Sequence, residues 1–346
     1  MSGDKPVTVA VDDGYAQTKV WYVGDDGTPH RHVLRTSLRS GRHGLSAMGD
    51  DGPTAAYRTE EGEDWTVSED FVGERTTFDG FHFSPMNRTM IVHALHEAGL
   101  GGRDVNLVVG LPVANFFRGD AVNTEAVERK HANLLKGVAS VSDDRTPPRI
   151  RDVIVGCQAV CAYVDFAFDA DMTRRDPDMD GAVAIIDVGG RTTDIAHVMP
   201  GGRRVDQSGS GTANLGVLDV YTALEDALRR EHDLAPTDRL PFSDLDKVVR
   251  ERTMKLWGNR VDVGSIVDGA VAEVGTKIGR EVERCIGSAA TFDRVVFTGG
   301  GGALFRSLAE SYPNGVVPDD PEFANARGLH LYGSGVVKAR DARAAA

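Results

Sequence analysis

The chain has 346 residues, 41% apolar and 26% charged, with a formal net charge of −13. That length predicts two lobes rather than one domain, the acidic balance argues against direct binding of nucleic acid, and no apolar run approaches the roughly 20 residues of a membrane span. Three cysteines give neither a disulfide framework nor a zinc set, and MSGDKPVTVAV lacks the basic-then-apolar pattern of a secretory leader, so a cytoplasmic protein with no membrane partner is expected.

In chain order, Val7 to Val11 reads as a buried strand running into Asp12, Asp13 and Gly14. Lys19 to Val23 is its hairpin partner, with Tyr15 and Gln17 in the turn, and GDDG (Gly24 to Gly27) turns toward a third strand. From Leu38 to Glu74 the sequence becomes glycine-rich, polar and weakly periodic around Trp65. This predicts a small loop-rich subdomain, about residues 24–87, with a partly disordered insertion as the competing reading. Met90 to Leu100 has helical spacing, and its His93 and His96, lacking a third ligand, read as a solvated face. Asn106 to Gly110 is a buried strand ending in Leu111-Pro112, and Asn123 to Val138 a helix with Glu125, Glu128, Arg129 and Lys130 on polar positions. The strand VIVG turns at Gly156 into a helix beginning near Cys157 and Gln158, where Cys157 and Cys161 read as core packing. TRRDPDMDG (Thr173 to Gly181) is a polar bridge and the natural hinge.

The second lobe opens on AVAIIDVGGRTTDIAHV. A buried run ends in Asp187, Gly189 and Gly190 make a tight turn with Arg191, and Thr192, Thr193 and Asp194 lead back into apolar alternation. Aligned on the carboxylates, the first hairpin repeats it: Asp12 falls on Asp187, Gly14 on Gly189, Thr18 on Thr193 and Lys19 on Asp194. Two such hairpins form a phosphate clamp in which the turns supply amides, Lys19 supplies positive charge, and Asp12 and Asp187 hold a hydrated Mg²⁺. A nucleoside triphosphate is the expected ligand. Helices follow at Leu215 to Arg230 and across Ser243 to Cys285, the latter interrupted by WGNRVDVG as a loop. RVVFTGGGG then stops a strand in Gly299, Gly300, Gly301 and Gly302 before the helix-like ALFRSLAE. Four glycines leave room for a base and ribose against the backbone, with a flexible loop as the bland alternative.

The order DDG…K, DVGGRTTD, FTGGGG resembles the phosphate 1, phosphate 2 and adenosine motifs of the actin, heat-shock chaperone and sugar-kinase superfamily. Within it the chain looks like the bacterial plasmid-segregation actins of the ParM/StbA family, with MIVHALHEAGLGGRDVNLVVGLPVANFF, the basic helix after it and GSGTANLGVLDV adding to the likeness. The resemblance implies an actin-like ATPase fold: two related lobes, each a mixed sheet flanked by helices, with a nucleotide cleft between them. Residues 1–175 and 313–346 would form the first lobe and 176–312 the second, the final helix (Gly328 to Val337) crossing back to the first.

It also implies roles. Gln158 would orient the attacking water, beside Asp12 and Asp187, although a helix-capping glutamine fits the sequence too. This departs from the ParM pattern, which carries glutamate there. Asp13, Gly14, Tyr15, Gln17, Lys19, Gly189, Gly190, Arg191, Thr192 and Gly299 to Gly302 would line the nucleotide, ATP or GTP, with Asp194 near the metal. The implied function is a nucleotide-hydrolysing filament of this chain that segregates plasmid DNA through a small DNA-binding adaptor of the ParR type, without contacting nucleic acid itself. A small-molecule kinase of the same superfamily and a chromosomally encoded cytoskeletal actin remain alternatives at this stage.

Overall fold

The computed structural model describes residues 5–43, 55–69, 73–141, 145–202, 204–235, 237–238 and 240–344. The first lobe contains β1 (Val7–Asp13), β2 (Gln17–Val23), β3 (Pro29–Arg35), β4 (Leu38–Ser40), β5 (Ala55–Thr59), β6 (Asp64–Val67), α1 (Pro85–Leu95), β7 (Asp104–Leu111) and α2 (Val113–Phe116). It continues through the short pair β8 (Phe117–Arg118) and β9 (Ala121–Val122), then α3 (Thr124–Leu135), β10 (Val138–Ser140), β11 (Arg149–Cys157) and α4 (Gln158–Ala167). Its main sheet has the order β11-β7-β1-β2-β3. β1 is almost wholly buried because it lies inside the sheet, parallel to β7 and antiparallel to β2.

The second lobe holds β12 (Ala182–Val188), β13 (Thr193–Val198), β14 (Val205–Ala213), α5 (Val217–Glu231), α6 (Phe242–Glu251), β15 (Thr253–Leu256) and β16 (Asn259–Asp262). After these come α7 (Gly264–Ile286), β17 (Phe292–Thr298), α8 (Arg306–Glu310) and β18 (Gly315–Val316). The sheet order is β14-β13-β12-β17-β18. β12 occupies the place of β1: fully buried, with an antiparallel hairpin partner on one side and a parallel strand on the other. β18 still belongs to this sheet, so the chain returns to the first lobe only with α9 (Ala324–Ala344) rather than near residue 313.

α4 is the layer shared by the lobes. Ala159, Ala162 and Tyr163 pack with Val183, Ile185 and Val296 of the second sheet, while Cys161 joins Ala10, Val108, Ile154 and Leu329 of the first lobe and α9. α9 comes close enough because it carries Gly328 and Gly333: a Cβ on Gly328 would lie 1.8 Å from the Cys161 carbonyl oxygen, and one on Gly333 2.3 Å from Val108 Cγ2. On the far face of the second sheet, Leu224 and Leu228 of α5 and Val267, Val274 and Ile278 of α7 cover Ala184, Ile186, Val295 and Phe297. The carboxyl ends of β1 and β12 therefore meet between the lobes at the N-terminus of α4, where Gln158 bonds to Asp12 and Asp12 repels Asp187.

Five expectations change. The stretch from 38 to 67 contains strands rather than loops alone: β4, β5 and β6, with β10 added at the edge, make a four-stranded sheet over Leu38, Tyr57, Trp65, Val67, Phe81 and Met90. Strands of three to five residues are too short to display a period. β3, within the stretch read as subdomain, belongs to the main sheet, and β10 joins the small one from outside that stretch. His93 is buried, 3.0 Å from the Tyr57 hydroxyl, rather than solvated, and burial pushes it down to about 4. WGNRVDVG is mostly the hairpin β15–β16, with Trp257 and Gly258 as its turn. Lys130, expected on a polar face, is wholly buried.

Candidate active site

Sheet register assembles the site. Asp12 and Lys19 are direct cross-strand partners in β1–β2, and the ammonium lies 3.5 Å from Asp12 Oδ2. In β12–β13 the same two positions are Asp187 and Asp194. Gln158, the first residue of α4, donates from Nε2 to Asp12 Oδ1 at 3.1 Å. That bond fixes the amide and leaves Oε1 as an acceptor. The side chain has room because residue 110 is glycine: a Cβ there would lie 2.4 Å from Gln158 Cγ.

Asp187 Oδ2 accepts from Asn325 Nδ2 of α9 at 2.8 Å, and its Oδ1 is buried without a partner. Asp194 Oδ1 accepts from Thr212 Oγ1 at 2.5 Å and from the Val113 N–H at 2.9 Å. The second of these bonds crosses between lobes, as does the donation from the Ala114 N–H to Thr212 Oγ1 at 3.1 Å. The hairpin turns also meet, since a Cβ on Gly190 would lie 2.6 Å from Ala16 Cβ. Arg191 places its guanidinium 5.3 Å from the centre of the Tyr15 ring and pairs with Asp79 at 3.0 Å.

Comparison with known proteins places the chain in a family and a fold. Residues 7–167 match the family model of the plasmid segregation protein ParM, N-terminal, and residues 185–310 that of the archaeal actin homologue MreB-like, C-terminal. The chain is a ParM-like protein of the actin family. Comparison with curated protein sequences gave no match. Among solved structures, actin-like protein Alp7A superposes with a TM-score of 0.76 at 16% identity, over 99% of this chain and 100% of that one. An archaeal actin homologue in complex with ADP gives 0.72 at 21% identity, over 94% and 98%. A 15-stranded ParM filament from Clostridium botulinum gives 0.70 at 21% identity, over 96% and 99%. These structural likenesses establish the actin-like fold.

Electrostatics of the ParM-like site call for a cation. Asp12, Asp187 and Asp194 are each at most 5% exposed, and the Lys19 ammonium attracts the first two. Burial, followed by repulsion from Asp12 and Asp194, pushes Asp187 up to about 7. Burial takes Asp194 to about 6 against the pull of its hydrogen bonds, and raises Asp12 in spite of Lys19. The donor set, all hard oxygen, and the orphaned Asp187 Oδ1 fit Mg²⁺. Among the described residues no three His, Cys, Asp or Glu side chains are grouped to hold a metal ion, so the fit is for anchoring through water.

Several residues read as nucleotide-lining do something else. Asp13 turns away from the cleft into the first lobe, where Lys130, Asn87 Nδ2 (2.8 Å) and His82 Nδ1 (3.1 Å) all reach its Oδ2. Burial pulls Asp13 up, but Lys130 and His82 outweigh it and hold the carboxyl below its usual range. The Gly189 N–H closes its own turn onto the Thr192 carbonyl at 2.8 Å, which leaves Gly190, Arg191 and Thr192 with N–H groups that donate to no group among the described residues.

Three of the four glycines are packing residues. A Cβ on Gly299, whose φ is +81°, would lie 2.3 Å from Asp187 Oδ1; one on Gly301 would lie 2.7 Å from Val188 Cγ1, and one on Gly302 3.0 Å from the Thr298 backbone. Gly300 alone opens toward Gln17 Oε1 and Lys19 Nζ, 3.6 and 3.8 Å from its Cβ position. The sequence reading missed Asn325, Thr212, Gly110 and Asp79. Asn325, Gly110 and Asp79 are single polar or small residues far from both hairpins in sequence, and Thr212 lies on the strand after the second hairpin, where only the sheet register brings it to Asp194.

Proposed function

We propose that this chain hydrolyses a nucleoside triphosphate, ATP or GTP, in the crevice between its lobes and couples hydrolysis to assembly into filaments that segregate plasmid DNA through a small DNA-binding adaptor of the ParR type. One observation carries the reading: two register-matched hairpins bring Asp12, Lys19, Asp187 and Asp194 to one crevice, with Gln158 hydrogen-bonded to Asp12. Membership in the ParM-like actin family supports it, as do the ADP in the archaeal homologue and the filament formed by the botulinum ParM.

Lys19 and the free turn amides of Gly14, Gly190, Arg191 and Thr192 bind phosphate oxygens; Gln17 and Gly300 lie beside Lys19 on the nucleotide's path. Asp12 and Asp187 hold Mg²⁺ through water, with Asp194 behind them. When bound, the ion offsets charge on the phosphates. Gln158 Oε1 accepts a hydrogen bond from the attacking water and orients its lone pair in line; a neutral amide takes no proton, so the role is positioning.

Pelleting and phosphate release, measured together on purified protein with Mg²⁺ and ATP or GTP, test this reading. Sedimentable polymer and phosphate release that both need nucleotide are expected. A monomer at all concentrations whose turnover responds to an added hydroxylated small molecule overturns the filament reading. Asp187→Ala should weaken nucleotide binding more in Mg²⁺ than in EDTA, and equal affinities in both would remove Asp187 from the clamp.

A further inference from the structure

Arg191 stands at the tip of the β12–β13 turn, and its side chain crosses to the first lobe. Its Nη2 donates to Asp79 Oδ1 at 3.0 Å, and the guanidinium carbon lies 5.3 Å from the centre of the Tyr15 ring. The two contacts differ in kind. The Tyr15 ring is backed by Phe81 and His82, at 5.2 and 4.9 Å between ring centres, so it is a fixed platform. The Asp79 side chain is 99% exposed, whereas that of Arg191 is 20% exposed. An ion pair with one member wholly in water contributes little, and a stronger anion replaces that member at small cost. Asp79 itself stays in place when the arginine leaves, because the segment before it is tied down: Thr76 Oγ1 donates to the Tyr15 carbonyl and the Glu74 N–H to the Leu38 carbonyl, both at 2.7 Å.

Position along the hairpin indicates which anion. The glycine turn meets β12 at Val188, whose carbonyl accepts from the Gly301 N–H at 2.8 Å, and Gly300 beside it opens toward Lys19. Arg191 lies three residues beyond Val188, past Gly190, where the lack of a Cβ lets the two turns touch at Ala16. A nucleotide seated with its ribose at Gly300 and its first phosphates at Lys19 has its terminal phosphate at this tip. Burial raises the Tyr15 hydroxyl above its ordinary value, and it feels Asp194 as well as Arg191, so the platform borders the carboxylates of the cleft. Lys19 is already engaged, 3.5 Å from Asp12 and attracting Asp187 as well. The charge that a triphosphate adds over a diphosphate therefore calls for a second cation, and a guanidinium offers phosphate oxygens a planar fork of donors.

We propose that Arg191 is the residue by which this site tells a nucleoside triphosphate from a diphosphate: its guanidinium leaves Asp79 for the terminal phosphate, still resting on Tyr15, and returns to Asp79 when that phosphate is gone. The inference rests on the nucleotide reading above and adds a side chain to the turn amides. Asp79 is then a competitor of the phosphate and not a ligand. Its full exposure keeps the competition weak enough for the exchange to run in both directions.

Binding of a non-hydrolysable ATP or GTP analogue and of the matching diphosphate, measured by calorimetry with Mg²⁺ below the concentration at which the protein pellets, is the test. Arg191→Ala should lose about tenfold or more in triphosphate affinity, as loss of a charge-assisted hydrogen bond does, with diphosphate affinity changed by less than about twofold. Asp79→Asn should act in the opposite direction, raising triphosphate affinity about two- to fivefold and leaving diphosphate affinity alone; made on top of Arg191→Ala, it should change neither. An ion pair that only holds the lobes together would instead lower the melting temperature of the free protein and leave the ratio of the two affinities at its wild-type value. Equal losses for the two nucleotides in Arg191→Ala, or wild-type triphosphate affinity in Asp79→Asn, overturn the exchange. Wild-type protein that binds neither nucleotide overturns the nucleotide reading itself, so the two failures are distinguishable.

Discussion

Gln158 and Gly110 act as one unit. Gly110, at the end of β7, leaves the space that Gln158 fills on its way to Asp12. If Gln158 orients water, Gln158→Ala should slow hydrolysis by about 10² or more with nucleotide affinity nearly unchanged, because the phosphates are held elsewhere. Gly110→Ala should slow it similarly by displacing the glutamine, and adding Gly110→Ala to Gln158→Ala should change little, since the clash is with Cγ and beyond. Single-turnover phosphate release on the three variants checks this; additive losses would separate the two residues. At this scale the sequence was legible where a residue lies in a repeat: Asp12, Lys19, Asp187 and Asp194 could be placed because two hairpins repeat one pattern. It was not legible where identity alone was available. The adjacent carboxylates Asp12 and Asp13 look equivalent in DDG, yet strand alternation sends one to the cleft and the other into the lobe. Four consecutive glycines look like one open surface, yet three are required by Asp187, Val188 and the Thr298 backbone.

At the scale of elements, α3 shows how a hairpin turn is held from behind. Its Lys130 crosses to Asp13 at the end of β1 and to Asn87 Oδ1 at 3.0 Å on α1, so three elements share one buried ion pair. His82 completes it from the short helical turn ahead of α1, donating from Nδ1 while its Nε2 is left without a partner. Burial lowers the His82 pKa, which favours this neutral form, and an unpartnered lone pair costs less than a stranded proton. Lys130→Ala should lower stability by about 3–5 kcal/mol, because it strands a buried carboxylate, whereas Lys130→Ala with Asp13→Ala should recover part of the loss. Urea unfolding measures both; a double variant as unstable as the sum would show that the pair is not coupled. The sequence could not expose this pair because Lys130 stands among Glu128 and Arg129 in a helix whose charges otherwise face water. Helix periodicity reports a dominant face, and one lysine buried by a partner 117 positions away does not alter it. The strands β1, β7 and β12, with long apolar runs, were legible for the opposite reason: burial on both faces leaves little choice of residue.

For the whole molecule, the consequence of the buried carboxylates is a stability that depends on pH and on ligand. Asp187 and Asp194 sit near 7 and 6 in the folded chain against an ordinary 3.8, so between about pH 4 and 7 the folded chain holds protons that the unfolded chain has released. Their contribution is therefore fully present below pH 3.8 and is lost as pH rises through 6 and 7, on the order of several kcal/mol for the two together. Other carboxylates run the opposite way: Asp13 is held low by Lys130 and contributes stability that fails in acid, which shifts the optimum without removing the loss above pH 6. In the proposed function, Mg²⁺ with nucleotide would compete with the protons. The rise in melting temperature that this ligand causes should accordingly grow from pH 5.5 to pH 8, and it should grow less for nucleotide in EDTA. Asp187→Asn keeps the shape and the bond's position at Asn325 but removes the charge. It should melt higher than wild type at pH 8 without ligand, lose most of the pH dependence between 6 and 8, and lose the Mg²⁺-specific part of the shift. Thermal melts of both proteins across that range decide it: a wild-type chain equally stable at pH 5.5 and 8 in EDTA, or an Asn variant with the same Mg²⁺-dependent shift, would mean that Asp187 is neither strained by burial nor engaged with the ion.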